Sequence, residues 1–269
     1  MWSPARRGQP AVARRSDRQT TQRRTFTDIH WFSELDSTNT WLLHAASSGA
    51  AEGTVAVADR QSAGRGRLGR VWESTPGSGL LVSLLFRPRI EPGELFSVGA
   101  LVTLAARAAI ASQTGVDARV KWPNDLVVGD AKLAGVLSET RGIGTDVPAV
   151  VVGIGINVRW PMPGPAATEL HAVCLDSLSG RPTDRKGLLE ALLDSAEARL
   201  PELDDAAGRA GLVKELERCT VTVGRRVRVE LPEESFSGTA LGLDDRGQLV
   251  VEAGGERRVV SAGDVVHLR

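Results

Sequence analysis

Apolar positions follow two regimes along the chain. Up to about residue 217 they form buried runs and helical stripes, and beyond it they alternate in short runs. Order begins near Thr27, where Ile29, Trp31 and Leu35 start a strand-like pattern. Asp36-Ser37-Thr38-Asn39 then offers several helix N-caps, and Trp41, Leu42, Ala45 and Ala46 follow at helical spacing. Residues 54–58 (TVAVA) and 79–86 (GLLVSLLF) predict buried strands, the second stopped by Pro88. Residues 94–112 are rich in Ala and Leu at helical spacing and predict a packed helix. Short strands are predicted over 119–122, 126–128 and 135–139, with turns at Pro123-Asn124 and Gly129-Asp130. Residues 149–158 (AVVVGIGINV) predict an apolar strand interrupted by two glycines. A Pro/Gly-rich loop follows at 161–168, then helices at 184–200 and 206–218. After Cys219, short alternating strands are predicted over 221–230, 235–243, 248–251, 257–260 and 264–268, with Asp244-Asp245-Arg246-Gly247 as a hairpin turn. That tail suggests a small β-barrel of the SH3 kind. The expected division is a disordered arm (1–25), an α+β domain (26–217) and a small all-β domain (219–269).

Composition adds exclusions. The chain has 269 residues, 42% of them hydrophobic, enough to bury a core without disulfide or metal staples. Lys+Arg and Asp+Glu are both 33, so no global charge pulls it toward nucleic acid or anionic lipid. The balance is uneven: residues 1–24 hold seven Arg and one Asp, a basic arm before a mildly acidic body. That arm is Arg-rich and acid-poor, as transit peptides are, but its composition favours a disordered extension or an over-called start codon. Two cysteines without a C-x-x-C pair and four histidines argue against a disulfide framework or a zinc site, and suit a reducing cytoplasm. No run reaches the roughly 18 apolar residues of a membrane span.

The chemistry concentrates in a few places. Gly64-Arg65-Gly66-Arg67-Leu68-Gly69-Arg70 alternates glycine with arginine between two buried strands. Glycine lets backbone approach a ligand, and arginine supplies planar, permanently charged forks for carboxylate and phosphate. The run lacks the Gly-Lys-Ser/Thr ending of a Walker loop and the context of a Rossmann fingerprint. A loose RNA-binding RG patch is the competing reading, although such repeats usually recur many times. Only four lysines stand against 29 arginines, and two of them, Lys121 and Lys132, fall in the stretch containing Trp122-Pro123-Asn124-Asp125. Lysine so placed suits a phosphate, and Asn or Asp at a strand end suits a base edge or hydrated Mg²⁺. A hairpin with solvated lysines would also account for the pattern. Ser37, Thr38 and Asn39 are three polar groups at a strand-to-helix turn, where an ordinary N-cap explains only one or two. No nucleophile arrangement is present, so the residues point to positioning and charge neutralisation around an anionic intermediate.

Five blocks in this order resemble the biotin–protein ligase family: DSTN (36–39); Gln61 with AGRGRLGR (63–70) and Trp72; KWPNDL (121–126); KLAGVLSE (132–139); and GIGIN (153–157). The resemblance covers about residues 28–170, and the C-terminal tail resembles the family's SH3-like cap. It implies an α+β fold: a mixed sheet flanked by helices, class II synthetase-like and shared with lipoate ligases. It implies activation of biotin with MgATP to biotinyl-5′-adenylate, then transfer to a lysine of a carboxylase's biotin carboxyl carrier domain. Ser37, Thr38, Asn39, Gln61, Arg65, Gly66, Arg67, Lys132, Gly135, Gly153 and Gly155 are the implied biotin residues. Arg65, Arg67, Arg70, Trp72, Lys121, Asn124, Asp125, Lys132 and Asn157 are the implied nucleotide residues. Lys132 and Arg67 act at the reacting centre, and Asp125 is a candidate Mg²⁺ ligand.

Bifunctional members carry an N-terminal helix-turn-helix. With about 25 residues ahead of the core, the expectation here is a cytoplasmic ligase without repressor activity, specific DNA binding or membrane association, as monomer or homodimer. Ala167-Thr168-Glu169-Leu170 departs from the family's usual Ala-Thr-Ser-Leu. Lipoate–protein ligase is the alternative within enzymes. A nucleic-acid-binding protein is the alternative outside them, weakened because Phe236 is the single aromatic residue after position 218.

Overall fold

The computed structural model describes residues 25–142, 148–160, 172–261 and 263–268. The predicted arm (all but Thr25), the 161–168 loop and Glu169 lie outside them. The architecture is mixed α+β, as expected from the sequence. Seven strands form one sheet in the order β1-β2-β3-β7-β6-β5-β4. They are β1 (Ile29–Leu35), β2 (Val55–Gln61), β3 (Gly79–Phe86), β4 (Arg119–Lys121), β5 (Asp125–Val128), β6 (Ala131–Arg141) and β7 (Ala149–Asn157). Only β1 and β2 pair in parallel; the other described pairings are antiparallel.

The continuous apolar runs of β3 and β7 arise because both faces of the sheet are covered. Leu80, Val82, Leu84 and Phe86 on β3, with Val150, Val152, Ile154 and Ile156 on β7, point into the main core. Helices α2 (Phe96–Thr114), α4 (Arg185–Arg199) and α5 (Ala206–Cys219) pack on that side. On the opposite face, Leu85 and Val151 pack against α1 (Thr38–Ser47), whose N-cap is Ser37. The remaining inward positions there, Leu81, Ser83, Gly153 and Gly155, are left for the site. A short helix α3 (Leu175–Ser179), absent from the sequence reading, precedes α4.

The segment Pro92–Thr114 has the length and mean hydropathy, 1.7, to cross a membrane, contrary to the sequence expectation. The counting rule missed it because glycine, serine and threonine interrupt the apolar run. Eleven residues of α2, Ser97 and Thr103 among them, are buried in the fold.

The tail forms five antiparallel strands in the order β11-β10-β9-β8-β12: β8 (Arg226–Glu230), β9 (Ser235–Leu243), β10 (Leu249–Ala253), β11 (Glu256–Val260) and β12 (Asp264–His267). The described pairings make an open ladder, not a closed barrel. Residues 221–225, expected to extend the first strand, precede β8, and Gly224 has positive φ. The two sheets are joined through Trp122. Its side chain is 2% exposed and belongs to the second core with Val227, Val229, Leu249 and Val251. Its indole Nε1 donates to the Gly247 carbonyl at 2.9 Å, and its backbone N–H donates to Thr222 Oγ1 at 3.0 Å.

Candidate active site

All 17 residues singled out for a ligand line one cavity of about 580 Å³. That volume lies in the usual range of roughly 300–1,000 Å³ for small-molecule sites. The cavity has two chemically distinct ends.

The first end is neutral and buried. The start of α1 brings Ser37, Thr38 and Asn39 against β2 and β3, and each is under 5% exposed. Gln61 Oε1 accepts from Thr38 N at 2.8 Å and from Thr38 Oγ1 at 2.9 Å. Ser83 Oγ lies 2.7 Å from Thr38 Oγ1 and donates to Asn39 Oδ1 at 2.6 Å. Asn39 Nδ2 donates to the Leu137 carbonyl at 3.1 Å and to Glu139 Oε2 at 2.8 Å. Both amide protons of Asn39 are therefore committed within the protein. Gly153 exists for this packing: a Cβ there would stand 2.2 Å from Asn39 Oδ1. The glycine at 153 thus makes room for a side chain of α1.

The second end is cationic. Lys132 should point away from Gly135 by simple alternation, since they are three positions apart. A bulge corrects this. Leu126 pairs with Ala134 and Val127 with Lys132, so the extra residue Leu133 turns Lys132 onto the cavity face. Lys132 Nζ forms an ion pair with Asp125 Oδ1 at 2.7 Å and lies 5.4 Å from the Trp72 ring centroid. The indole of Trp72 lies flat on the sheet, where a Cβ at Gly155 would come within 2.6 Å of it. Gly135, the register partner of Gly155, faces the same ring.

Between the ends arches the loop 64–72. Gly66 N donates to the Arg70 carbonyl at 2.7 Å and Trp72 N to the Gly64 carbonyl at 2.9 Å, which closes it as a hairpin. Arg65 Nη2 donates to Glu139 Oε2 at 2.9 Å and to Thr40 Oγ1 at 3.1 Å. Arg70 pairs with Asp264 of β12, which raises the Arg70 pKa above its ordinary value. Arg67 reaches the Gly263 carbonyl at 3.4 Å, and burial lowers its pKa against the opposing pull of Asp264 and Asp125. Burial, then Lys121 and Arg225, lowers His267 to about 4, so its ring is neutral at pH 7 beside Thr222 Oγ1. Asn124 Nδ2 donates to the Val136 carbonyl at 2.8 Å, and Asn157 Nδ2 approaches the Lys132 carbonyl at 3.4 Å. Both amides therefore brace β6 as well as facing the cavity.

No group of three or more His, Cys, Asp or Glu positioned to hold a metal occurs among the described residues. Of the carboxylates lining the cavity, Asp125 is the one paired with Lys132, while Asp264 is held by Arg70 and Asp130 lies 3.5 Å from Arg225. That set suits Mg²⁺, which keeps several waters and is usually held by one or two carboxylates plus substrate phosphates.

Three residues escaped the sequence reading. Ser83 is a lone hydroxyl in an otherwise apolar strand, and a fully buried serine needs partners. Glu139 was part of a motif yet received no role. Asp264 lies 194 residues from the arginine it pairs with, beyond any local signal.

A preformed neutral pocket opening onto a cluster of cations defines a class: a ligase that holds an uncharged ring carrying an acid and activates that acid against a nucleotide polyphosphate. Comparison with known proteins agrees. The profile of the Biotin/lipoate A/B protein ligase family matches residues 31–157, and that of the Biotin protein ligase C terminal domain matches residues 222–268. The biotin–[acetyl-CoA-carboxylase] ligase of Mycobacterium tuberculosis is 37% identical over 242 residues, covering 88% of this chain and 87% of that one. The bifunctional ligase/repressor BirA of Bacillus subtilis is 34% identical over 230 residues, 85% of this chain and 70% of that one. The biotin protein ligase of Aquifex aeolicus, solved with biotin and ATP, superposes with a TM-score of 0.75 at 28% identity, covering 91% of this chain and 100% of that one. The chain belongs to the biotin/lipoate A/B protein ligase family, among the biotin protein ligases.

Proposed function

We propose that the cavity joins biotin to ATP and then hands biotin to a lysine of a biotin carboxyl carrier domain. In the first half-reaction a carboxylate oxygen attacks the α-phosphorus of ATP. The bond to pyrophosphate breaks and biotinyl-5′-adenylate forms. In the second, the carrier lysine's amine attacks the acyl carbon, loses a proton, and AMP leaves with the anhydride oxygen. The observation that carries this reading is the union of the neutral hook and the Lys132–Asp125 cluster in one cavity.

Each end has a task. The ureido ring of biotin is uncharged, so hydroxyl and amide groups suit it: Ser37, Thr38 and Gln61, backed by Asn39. Arg65 and Gly66 lie above it, and Gly135, Gly153 and Gly155 form the floor. The carboxylate and triphosphate repel each other, and Lys132 with Arg67 lowers that repulsion. Arg70, Trp72, Lys121, Asn124 and Asn157 belong to the nucleotide side. Asp125 is the carboxylate that would hold a Mg²⁺ bound with ATP, which would supply charge neutralisation at the leaving pyrophosphate.

We assign residues 26–217 to catalysis and 219–269 to a cap that the Trp122 anchor holds in place. We read the protein as a monomer or a homodimer. Two free cysteines and the use of ATP suit the cytoplasm.

The test is transfer. Purified protein, MgATP and labelled biotin should label a carboxyl carrier domain, and should leave the same domain with its acceptor lysine changed to arginine unlabelled. Equal labelling of both would contradict specific transfer.

A further inference from the structure

Glu139 stands where the two ends of the cavity meet. It lies on β6 two residues beyond Leu137 and four beyond Gly135, and alternation places all three on the cavity face. One of its oxygens, Oε2, accepts from Asn39 Nδ2 at 2.8 Å and from Arg65 Nη2 at 2.9 Å. Asn39 belongs to the buried hook, while Arg65 belongs to the exposed loop. Its side chain is 23% exposed, against 44% for Arg65, so the carboxylate is the more sheltered partner of the pair.

The remaining bonds sharpen the picture. Among the described residues, Asn39 has one acidic partner, Glu139. Its second proton goes to the Leu137 carbonyl and its oxygen is held by Ser83. Arg65 is steadied by Thr40, also on α1, at 3.1 Å. The loop's other two arginines reach the opposite way, to Gly263 and Asp264. Arg65 thus ties the near stalk of the loop to the sheet through the Glu139 carboxylate and to α1 through Thr40.

We infer that Glu139 is a positioning residue that couples the ring-binding hook to the glycine–arginine loop. Its oxygen orients Asn39, which sets Thr38 and Ser37 against the ring. Its charge holds Arg65, which keeps the loop over the acyl-adenylate. These two duties separate chemically. A neutral amide can still accept the hydrogen bond from Asn39. It offers no charge to Arg65, and charge-assisted bonds are about twice as strong as neutral ones. The inference rests on the ligase reading above and deepens it.

The experiment compares Glu139→Gln and Glu139→Ala with wild type in two assays. The first is the KM for biotin in pyrophosphate exchange. The second is the rate at which preformed adenylate escapes, read by rapid filtration without carrier. Glu139→Ala should raise the biotin KM and speed escape, each by roughly tenfold, the scale of one hydrogen bond to a charged group. Glu139→Gln should restore the KM to near wild type while escape stays fast. Circular dichroism and melting of both variants control for folding, and the isosteric Gln variant keeps the test usable if the Ala variant misfolds. Two results overturn the inference: Gln escape as slow as wild type, or Gln losing KM as severely as Ala. Wild-type exchange is measured first with biotin and with lipoate. Absence of exchange there would count against the ligase reading itself, not against Glu139.

Discussion

The two ends of the cavity are built on opposite principles. The hook of Ser37, Thr38, Asn39 and Ser83, with half-buried Gln61, is sheltered, neutral and internally satisfied. The loop from Gly64 to Trp72 is partly exposed, and its arginines are parked on Glu139, Gly263 and Asp264. A neutral ring is recognised cheaply by groups already in place, because no ordering cost remains at binding. Charges facing a polyphosphate are different. Left unpaired they repel one another, and in the free protein Arg65 rests on Glu139, Arg67 on the Gly263 carbonyl and Arg70 on Asp264. On the proposed reading, the hook governs which acid enters, and the loop governs how long its adenylate stays.

The contrast can be broken at several points, from the largest effect to the smallest. Lys132→Ala should cut adenylate formation by about two to three orders of magnitude, the cost typical of losing one preorganised donor at a developing charge. Its melting temperature should stay close to wild type, since Lys132 is part-exposed; pyrophosphate exchange and thermal melts read the two quantities separately. Gly153→Ala attacks the hook. The new methyl meets Asn39 at 2.2 Å. Overpacking of this kind costs about 1–3 kcal/mol of stability, visible in urea titration, and the biotin KM should rise while the KM for ATP changes little. Arg67→Gly attacks the loop. Adenylate should escape roughly tenfold faster with the biotin KM nearly preserved, because one charged donor is lost without touching the hook.

The smallest effect concerns pH. His267 sits near 4 in the folded chain against 6.5 unfolded, so the unfolded state binds the proton more tightly. Its contribution is complete above pH 6.5 and is lost as pH falls from 6.5 toward 4. Discounted for the partial exposure of the ring, the loss is about 1 kcal/mol. His267→Gln should flatten that part of the stability–pH curve while leaving exchange kinetics at pH 7 unchanged.

Much of this was legible in the sequence, and the physical reasons are specific. The strands around 79–86 and 149–158 announced themselves because both faces are covered, giving unbroken apolar runs. The 17 residues singled out by the family resemblance all line the cavity, and they come from the turn into α1, the end of β2, the β2–β3 loop, the ends of β4 and β5 with the turn between them, and β6 and β7. Partnerships were harder to see. The strand predicted over 135–139 runs from Ala131 to Arg141, and only the bulge at Leu133 explains why Lys132 faces the cavity. Trp122 reads like part of the nucleotide motif, yet most of its contacts lie in the second core. Asp264 and Glu139 act through pairs that join distant segments, and alternation along one strand carries no record of such pairs.

The most direct measurement is exchange of labelled pyrophosphate into ATP by the purified protein, with biotin in one tube, lipoate in another, and no carrier protein. The account predicts exchange with biotin alone, sensitive to Lys132→Ala. Exchange with lipoate alone, or none with either acid from a folded sample, would contradict it.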